Sequence, residues 1–136
     1  GDAPDGTPEA ADRDLSGLKL TIAGNTVPLR GAILMGTGDD QRLDFSTGGM
    51  SCYALWSEAD INYSVDLPKS NSGSAFFSGT KMPSQNTDSY EAKDKPIIPL
   101  AQPVHGEMPL DIQLAYDHNG YPISLRGKAT VLDCRR

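Results

Sequence analysis

The clearest chemical feature of this sequence is a pair of cysteines, Cys52 and Cys134, which are the only two in the chain. Two cysteines far apart in a sequence suit one disulfide, and the alternative is two reduced thiols. A bridge would close a loop of about 80 residues and stabilise the fold by at most about 4.5 kcal/mol in the chain-entropy model. Because disulfides persist outside the cytoplasm, the pair predicts an extracytoplasmic protein: periplasmic, an outer-membrane lipoprotein, or secreted.

The other residues with metal-binding chemistry do not form a recognised pattern. His105 and His118 are the only histidines, and even together with Met108 they lack a second local ligand at a diagnostic spacing. The acidic run at residues 39–40 and the run at 117–120 lack the alternating oxygen ligands and the closing glutamate of a calcium loop. We therefore predict turns at both runs, and we predict no metal and no cofactor.

Motifs for catalysis and for covalent modification are equally weak. Residues 49–52 (GMSC) lack the Gly-x-Ser-x-Gly pattern of a nucleophile elbow. Residues 62–64 (NYS) match a glycosylation sequon, but they fall inside a predicted strand rather than in a surface loop. The sequence therefore predicts a protein that is not an enzyme, and no catalytic residue is assigned.

The first 14 residues differ in composition from the rest of the chain. They hold five acidic residues and one arginine, whereas the remaining chain holds 13 acids and 11 bases. Proline, glycine and alanine fill most other positions without a hydrophobic period, so we expect a disordered tether at 1–14 and a single domain at 15–136. This composition resembles the linker that follows the lipidated cysteine of bacterial lipoproteins. The resemblance implies a lipid anchor through a cysteine ahead of residue 1.

Charge and hydropathy also narrow the classes of partner. With the first 14 residues set aside, the chain has a net charge of only −2, which leaves no basic surface for nucleic acid. No apolar run approaches the roughly 20 residues that a membrane-spanning helix needs, so we predict no transmembrane segment. The expected partner is a protein or a component of the cell envelope.

Alternating hydrophobic and polar residues predict β-strands from Leu18 onward. A two-residue turn at 24–25 predicts a hairpin in which Ile22 lies opposite Val27. Pro28 lacks a backbone N–H, so this ribbon is expected to have an open edge there. Continuing the alternation places Ile33 on the same face as Val27.

The last 30 residues predict a second hairpin with a two-residue turn at 119–120. This turn places Tyr116 opposite Ile123 on the apolar face and Asp111 opposite Lys128 on the polar face, so hydrophobic pattern and charge agree. The same alternation puts Cys134 on the outer face. The predicted disulfide therefore calls for a bulge, at Gly127 or near the strand end.

The middle of the chain is less regular. Residues 41–46 and 61–67 alternate, and the apolar run at 50–56 predicts a buried strand. Thr80 to Lys95 is polar and without period, which predicts a long loop. With seven or eight short strands and no long amphipathic pattern, the predicted fold is all-β: an antiparallel sandwich or barrel with little or no helix.

Three aromatic residues are the candidates for binding: Phe76, Phe77 and Tyr90. Adjacent residues of a strand point to opposite faces, so one phenylalanine of the pair is expected to be exposed. We place the partner surface in the region Phe76 to Val104, where a polar loop and a proline-stiffened segment follow. The open edge near Pro28 is the next candidate.

Together these features favour a non-catalytic, envelope-associated or secreted binding or structural domain. The alternative is a small periplasmic inhibitor or immunity-type protein that blocks a partner enzyme. A toxin gene beside its own would favour the alternative.

Overall fold

The computed structural model describes residues 14–37, 40–52, 59–66, 72–78, 86–91, 106–118 and 120–135. These described residues form nine β-strands and no helix, which confirms the predicted all-β class. The strands are β1 (Leu18–Ile22), β2 (Asn25–Val27), β3 (Gly31–Thr37), β4 (Asp40–Ser46), β5 (Asn62–Asp66), β6 (Ser72–Ser78), β7 (Asn86–Glu91), β8 (Glu107–His118) and β9 (Tyr121–Asp133).

The nine strands belong to one strongly curled sheet that forms a half-barrel. Along the sheet the order is β2-β1-β9-β3-β4-β5-β6-β7, and β8 pairs with β9 off this path. All ladders are antiparallel except that between β3 and β9, in which Ile33 lies opposite Leu132. β9 organises the sheet, because it pairs with β8 along 12 residues and also with β1 and β3.

The core lies inside the curl and contains a buried aromatic group. Tyr63 stacks on Phe77 with ring centroids 4.3 Å apart and on Phe45 at 6.4 Å. The Tyr63 and Tyr116 hydroxyl groups are hydrogen-bonded at 2.7 Å. Because β5 and β8 are not neighbours in the sheet, this bond spans the interior of the half-barrel. The aliphatic residues that surround the group include Leu20, Leu34, Leu43, Val65, Leu110, Ile112, Leu114, Ile123, Leu125 and Val131.

The predicted C-terminal hairpin is confirmed residue by residue. Tyr116 lies opposite Ile123 and Asp111 opposite Lys128. The expected bulge at Gly127 is wrong, because every β8 residue in this ladder opposes one β9 residue. Cys134 instead follows the last residue of β9, and its N–H donates to the Leu34 carbonyl at 2.8 Å.

The predicted register of the N-terminal hairpin is wrong by one position in the turn. Residues 23–24 form the loop, so Ile22 lies opposite Asn25 and Leu20 opposite Val27. Ala23 has a φ of 51°, so a non-glycine residue takes a left-handed conformation at the first position of this turn. β2 is nonetheless the last of the described strands on its side of the sheet, in agreement with the open edge predicted near Pro28.

Two further expectations need correction, and a third lies mostly outside the described residues. Ile33 is buried but lies outside the inward-facing core, because the break between β2 and β3 resets the alternation. Of the strand predicted at 50–56, residues 53–56 lie outside the described residues, and the described part, 50–52, has one bridge residue, Met50. The predicted loop at Thr80 to Lys95 contains β7, which pairs with β6 along its whole length. A polar strand at the edge of a sheet carries no hydrophobic alternation that a sequence pattern could reveal.

Candidate functional site

The outer face of the half-barrel is partly covered by the connection between β4 and β5. We call this connection, residues 47–61, the strap; it is described at 47–52 and 59–61. A Cβ atom built on Gly31 would lie 2.4 Å from Cγ of Met50 and 2.5 Å from the carbonyl oxygen of Gly48. The strap therefore packs directly on the backbone of β3.

Hydrogen bonds hold the two ends of the strap together. The Thr47 N–H donates to the Ile61 carbonyl at 3.0 Å, and the Ile61 N–H donates to Thr47 Oγ1 at 3.1 Å. The Gly48 N–H donates to Ser46 Oγ at 3.0 Å. These bonds fix where the strap leaves β4 and where it enters β5.

A carboxylate lies fully buried on the same outer face. Asp44, in β4, has no exposed surface and accepts hydrogen bonds from Ser64 Oγ and, at 3.2 Å, from Arg42 Nε. Ser64 is the residue opposite Asp44 on β5. Because a buried carboxylate requires such donors, these bonds explain how Asp44 is tolerated, and they engage both of its oxygens.

A second polar pair lies at the end of the same strands. Ser46 Oγ donates to Asn62 Oδ1 at 2.7 Å, and Asn62 is only 5% exposed. Asn62 is the first residue of the 62–64 sequon. The folded domain therefore buries the amide that glycosylation would modify.

Cys52 and Cys134 lie at disulfide-bonding distance in the structure, with their Cα atoms 5.5 Å apart. The bridge joins the strap to the residue after β9. Beside it, Arg135 donates from Nε and Nη2 to both carboxylate oxygens of Asp133, at 2.6 to 3.1 Å. These side-chain hydrogen bonds lower the pKa of Asp133 and raise the pKa of Arg135.

The Asp133–Arg135 pair predicts a pH dependence of stability. The folded-state pKa of Asp133 lies below the unfolded value of about 3.9, so the pair stabilises the fold above about pH 4. This contribution is lost as the pH falls through the folded-state pKa. We expect Asp133→Asn and Arg135→Gln each to flatten the acid limb of stability, measured as the urea midpoint at successive pH values. An unchanged slope in both variants would contradict the assignment.

The predicted aromatic residues occupy different environments. Phe77 is 1% exposed and belongs to the core, where it stacks on Tyr63. Phe76 is half-buried on the opposite face of β6. Tyr90 lies in β7, opposite Gly73, and its side chain lies outside the described set. Binding by these aromatic residues stays a prediction.

The residues considered for metal chemistry are not brought together in the described part of the chain. Met108 is buried in the core, and His118 is the last residue of β8. His105 and residue 39 lie outside the described residues. Within the ranges that are described, no three histidine, cysteine or acidic residues are placed to hold a metal ion.

The direction of the backbone hydrogen bonds of β9 shows which backbone N–H and C=O groups of β8 bond to β9. Even-numbered residues of β9 bond towards β1: the Lys128 N–H donates to the Gly17 carbonyl, and the Pro122 carbonyl accepts from Ala23, both at 2.9 Å. Because backbone groups of a strand alternate between its two edges, the odd-numbered residues of β9 bond to β8. Their partners are the even-numbered residues of β8, for example Leu114 opposite Leu125.

The odd-numbered residues of β8 therefore direct their backbone groups away from β9. No strand of the described part forms a ladder there; β7 approaches β8 without pairing. We call the four consecutive odd positions the β8 edge: Asp111, Gln113, Ala115 and Asp117. An edge of this kind presents N–H and C=O groups to which another strand can bond. This site was not predicted from the sequence.

The β8 edge is acidic and accessible. Gln113 and Asp117 are exposed, and Asp111 and Ala115 are half-buried. The Asp111 carboxylate lies 3.9 Å from Lys128 Nζ on β9. Asp117 Oδ2 accepts from the Gly120 N–H at 2.9 Å, which fixes the end of the edge at the turn.

Comparisons with protein-family models, with curated proteins and with solved structures found no match to this chain. Among the residues that the structure describes, no helix is long and apolar enough to cross a membrane. The strap and the β8 edge are therefore the two features whose geometry bears on function.

Proposed function

We propose that this chain is a non-catalytic, extracytoplasmic domain that binds a protein or a component of the cell envelope. The observation that carries the proposal is the β8 edge, whose backbone donors and acceptors are not used by the described sheet. Such groups gain hydrogen bonds when a partner strand adds to the sheet, which is a common mode of peptide recognition. The proximity of Cys52 and Cys134 supports an oxidising compartment.

The buried polar groups support a binding role rather than a catalytic one. A catalytic carboxylate must reach its substrate, whereas Asp44 has no exposed surface, and its two oxygens accept hydrogen bonds from Arg42 on the same strand and from Ser64 on β5. Ser46 likewise bonds to Asn62 and to the strap backbone. The Ser46 hydroxyl therefore helps to fix the strap where it leaves β4.

The predicted aromatic surface is compatible with binding at this edge. Tyr90 lies in β7, the strand that approaches β8, and Phe76 lies on the adjacent strand β6. A partner strand at the β8 edge would therefore lie beside β7, the strand that contains Tyr90.

Site-specific photo-crosslinking in the living source cell tests the proposal on the full chain. A photoreactive residue replaces Gln113, on the β8 edge, or Lys19, an exposed residue of β1. We expect one recurrent protein or envelope adduct from position 113 and none from position 19. Adducts from neither position, or from position 19 alone, would overturn the proposal.

A further inference from the structure

We infer that the occupant of the β8 edge is an extended, cationic segment of a partner protein, which adds to the sheet as a strand. The inference depends on the proposed binding function and specifies the chemistry of the partner. It follows from three features of the edge: its backbone groups, which no described strand uses, its charge, and its incompatibility with a second copy of itself.

The charge of the edge selects a cationic strand. Asp111 and Asp117 are six positions apart on the same outward face of β8, and the two edge residues between them are uncharged. Side chains directly opposite each other in a ladder interact favourably when their charges are opposite. The β9 side of β8 already follows this rule, since Asp111 lies opposite Lys128. A strand with lysine or arginine at both ends of a seven-residue stretch would match the edge.

The same acidic residues disfavour pairing between two copies of this chain. A two-fold dimer pairs identical edges in antiparallel orientation. The register that uses all four edge residues places Asp111 of each copy opposite Asp117 of the other, which sets like charges together twice. A shift by one pair brings in Pro109, which has no N–H, or residue 119 of the turn. The edge is therefore protected against self-association.

Binding also requires a small movement of β7. Parts of β7 and β8 lie within 8 Å of each other in Cα–Cα distance. An added strand needs about 9.6 Å between its two neighbours, twice the usual strand spacing. β7 pairs only with β6 in the described sheet, so we expect β7 to move outward when the strand adds.

Blocked synthetic peptides test the inference on the oxidised full chain. The probe is Lys-Val-Thr-Val-Thr-Val-Lys, and its matched control carries glutamate in place of both lysines. We expect the lysine peptide to bind about tenfold or more tightly than the glutamate peptide, because two favourable pairs become two unfavourable ones. The double variant Asp111→Asn/Asp117→Asn should reduce this preference to about twofold or less.

Backbone variants test the location independently of charge. Gln113→Pro removes one N–H from the β8 edge and leaves the ladder with β9 intact, as Pro109 already does at an equivalent position. We expect Gln113→Pro to abolish binding and the matched Gln113→Thr to retain it.

Several outcomes would overturn the inference. In the peptide experiment these are failure of both peptides to bind, equal affinity of the two peptides, or binding of the lysine peptide to the Gln113→Pro variant. A dimer of the unmodified chain that the Gln113→Pro substitution dissociates would also overturn the inference. None of these outcomes affects the photo-crosslinking result expected at position 113. The inference about the partner's chemistry can therefore fail while the proposed binding function stands.

Discussion

Replacement of Cys52 and Cys134 by serine is expected to lower the free energy of unfolding by about 4 kcal/mol. The bridge spans a sequence separation of 82 residues, and closing a loop of this size removes a large part of the unfolded chain's entropy. The bridge also stabilises the folded state, because it ties the strap to the end of β9. For a chain of this length the melting midpoint should fall by about 10 to 20 °C.

Urea unfolding of the oxidised chain, the reduced chain and the double serine variant measures this effect. The reduced chain and the variant should agree, since both lack the crosslink. A loss below about 1 kcal/mol would mean that the hydrogen bonds of Thr47 and Ile61 hold the strap without the bridge.

Gly127→Ala is expected to cost roughly 3–5 kcal/mol and to loosen β1 from β9. Gly127 has a φ of 127°, which strains any residue with a Cβ atom. A Cβ atom there would lie 2.0 Å from the carbonyl oxygen of Gly17 and 3.2 Å from Cα of Leu18, so the backbone of the neighbouring strand must move.

Gly120→Ala is the matched control for this prediction. Gly120 also has a positive φ, 89°, but a Cβ atom built there meets nothing within 4 Å. The control should therefore cost only the backbone strain, about 1 kcal/mol. Equal losses in the two variants, measured by urea unfolding, would contradict the role of crowding at Gly127.

The C-terminal hairpin was predictable because two independent constraints agreed. The turn at 119–120 fixed the register, and the pairing of Leu114 with Leu125 and of Asp111 with Lys128 satisfied both faces. The N-terminal hairpin lacked this redundancy. A turn at 23–24 and one at 24–25 both leave apolar residues facing each other, so the pattern could not separate them.

The outer face was predicted less well than the core. The alternating pattern predicts that inward residues such as Leu43 and Phe45 are buried. The same pattern predicts that Asp44 and Asn62 are exposed polar residues, whereas both are buried. Each has a hydrogen-bond partner on the neighbouring strand, Ser64 for Asp44 and Ser46 for Asn62, and such a pairing is a non-local feature. The cysteine pair was the one signal that indicated this region.

The β8 edge was not predictable from local pattern, because an edge is defined by which strands fail to pair. The sequence does carry two traces of it. Pro109 interrupts the backbone donors of an otherwise regular strand, and Asp111 and Asp117 place charge on the same side. Both features are typical of protected edges. They identify β8 as an edge strand only when the order of the strands in the sheet is known.

Residue-resolved amide hydrogen exchange along β8 tests the binding account most directly. In the free chain, the amides of the β8 edge should exchange rapidly, whereas those of Ile112 and Leu114, which bond to β9, should exchange slowly. Saturation with the lysine peptide should slow the edge amides by about tenfold or more and leave Ile112 and Leu114 unchanged. Edge amides that are already slow in the free chain, or that stay fast under saturation, would contradict the account.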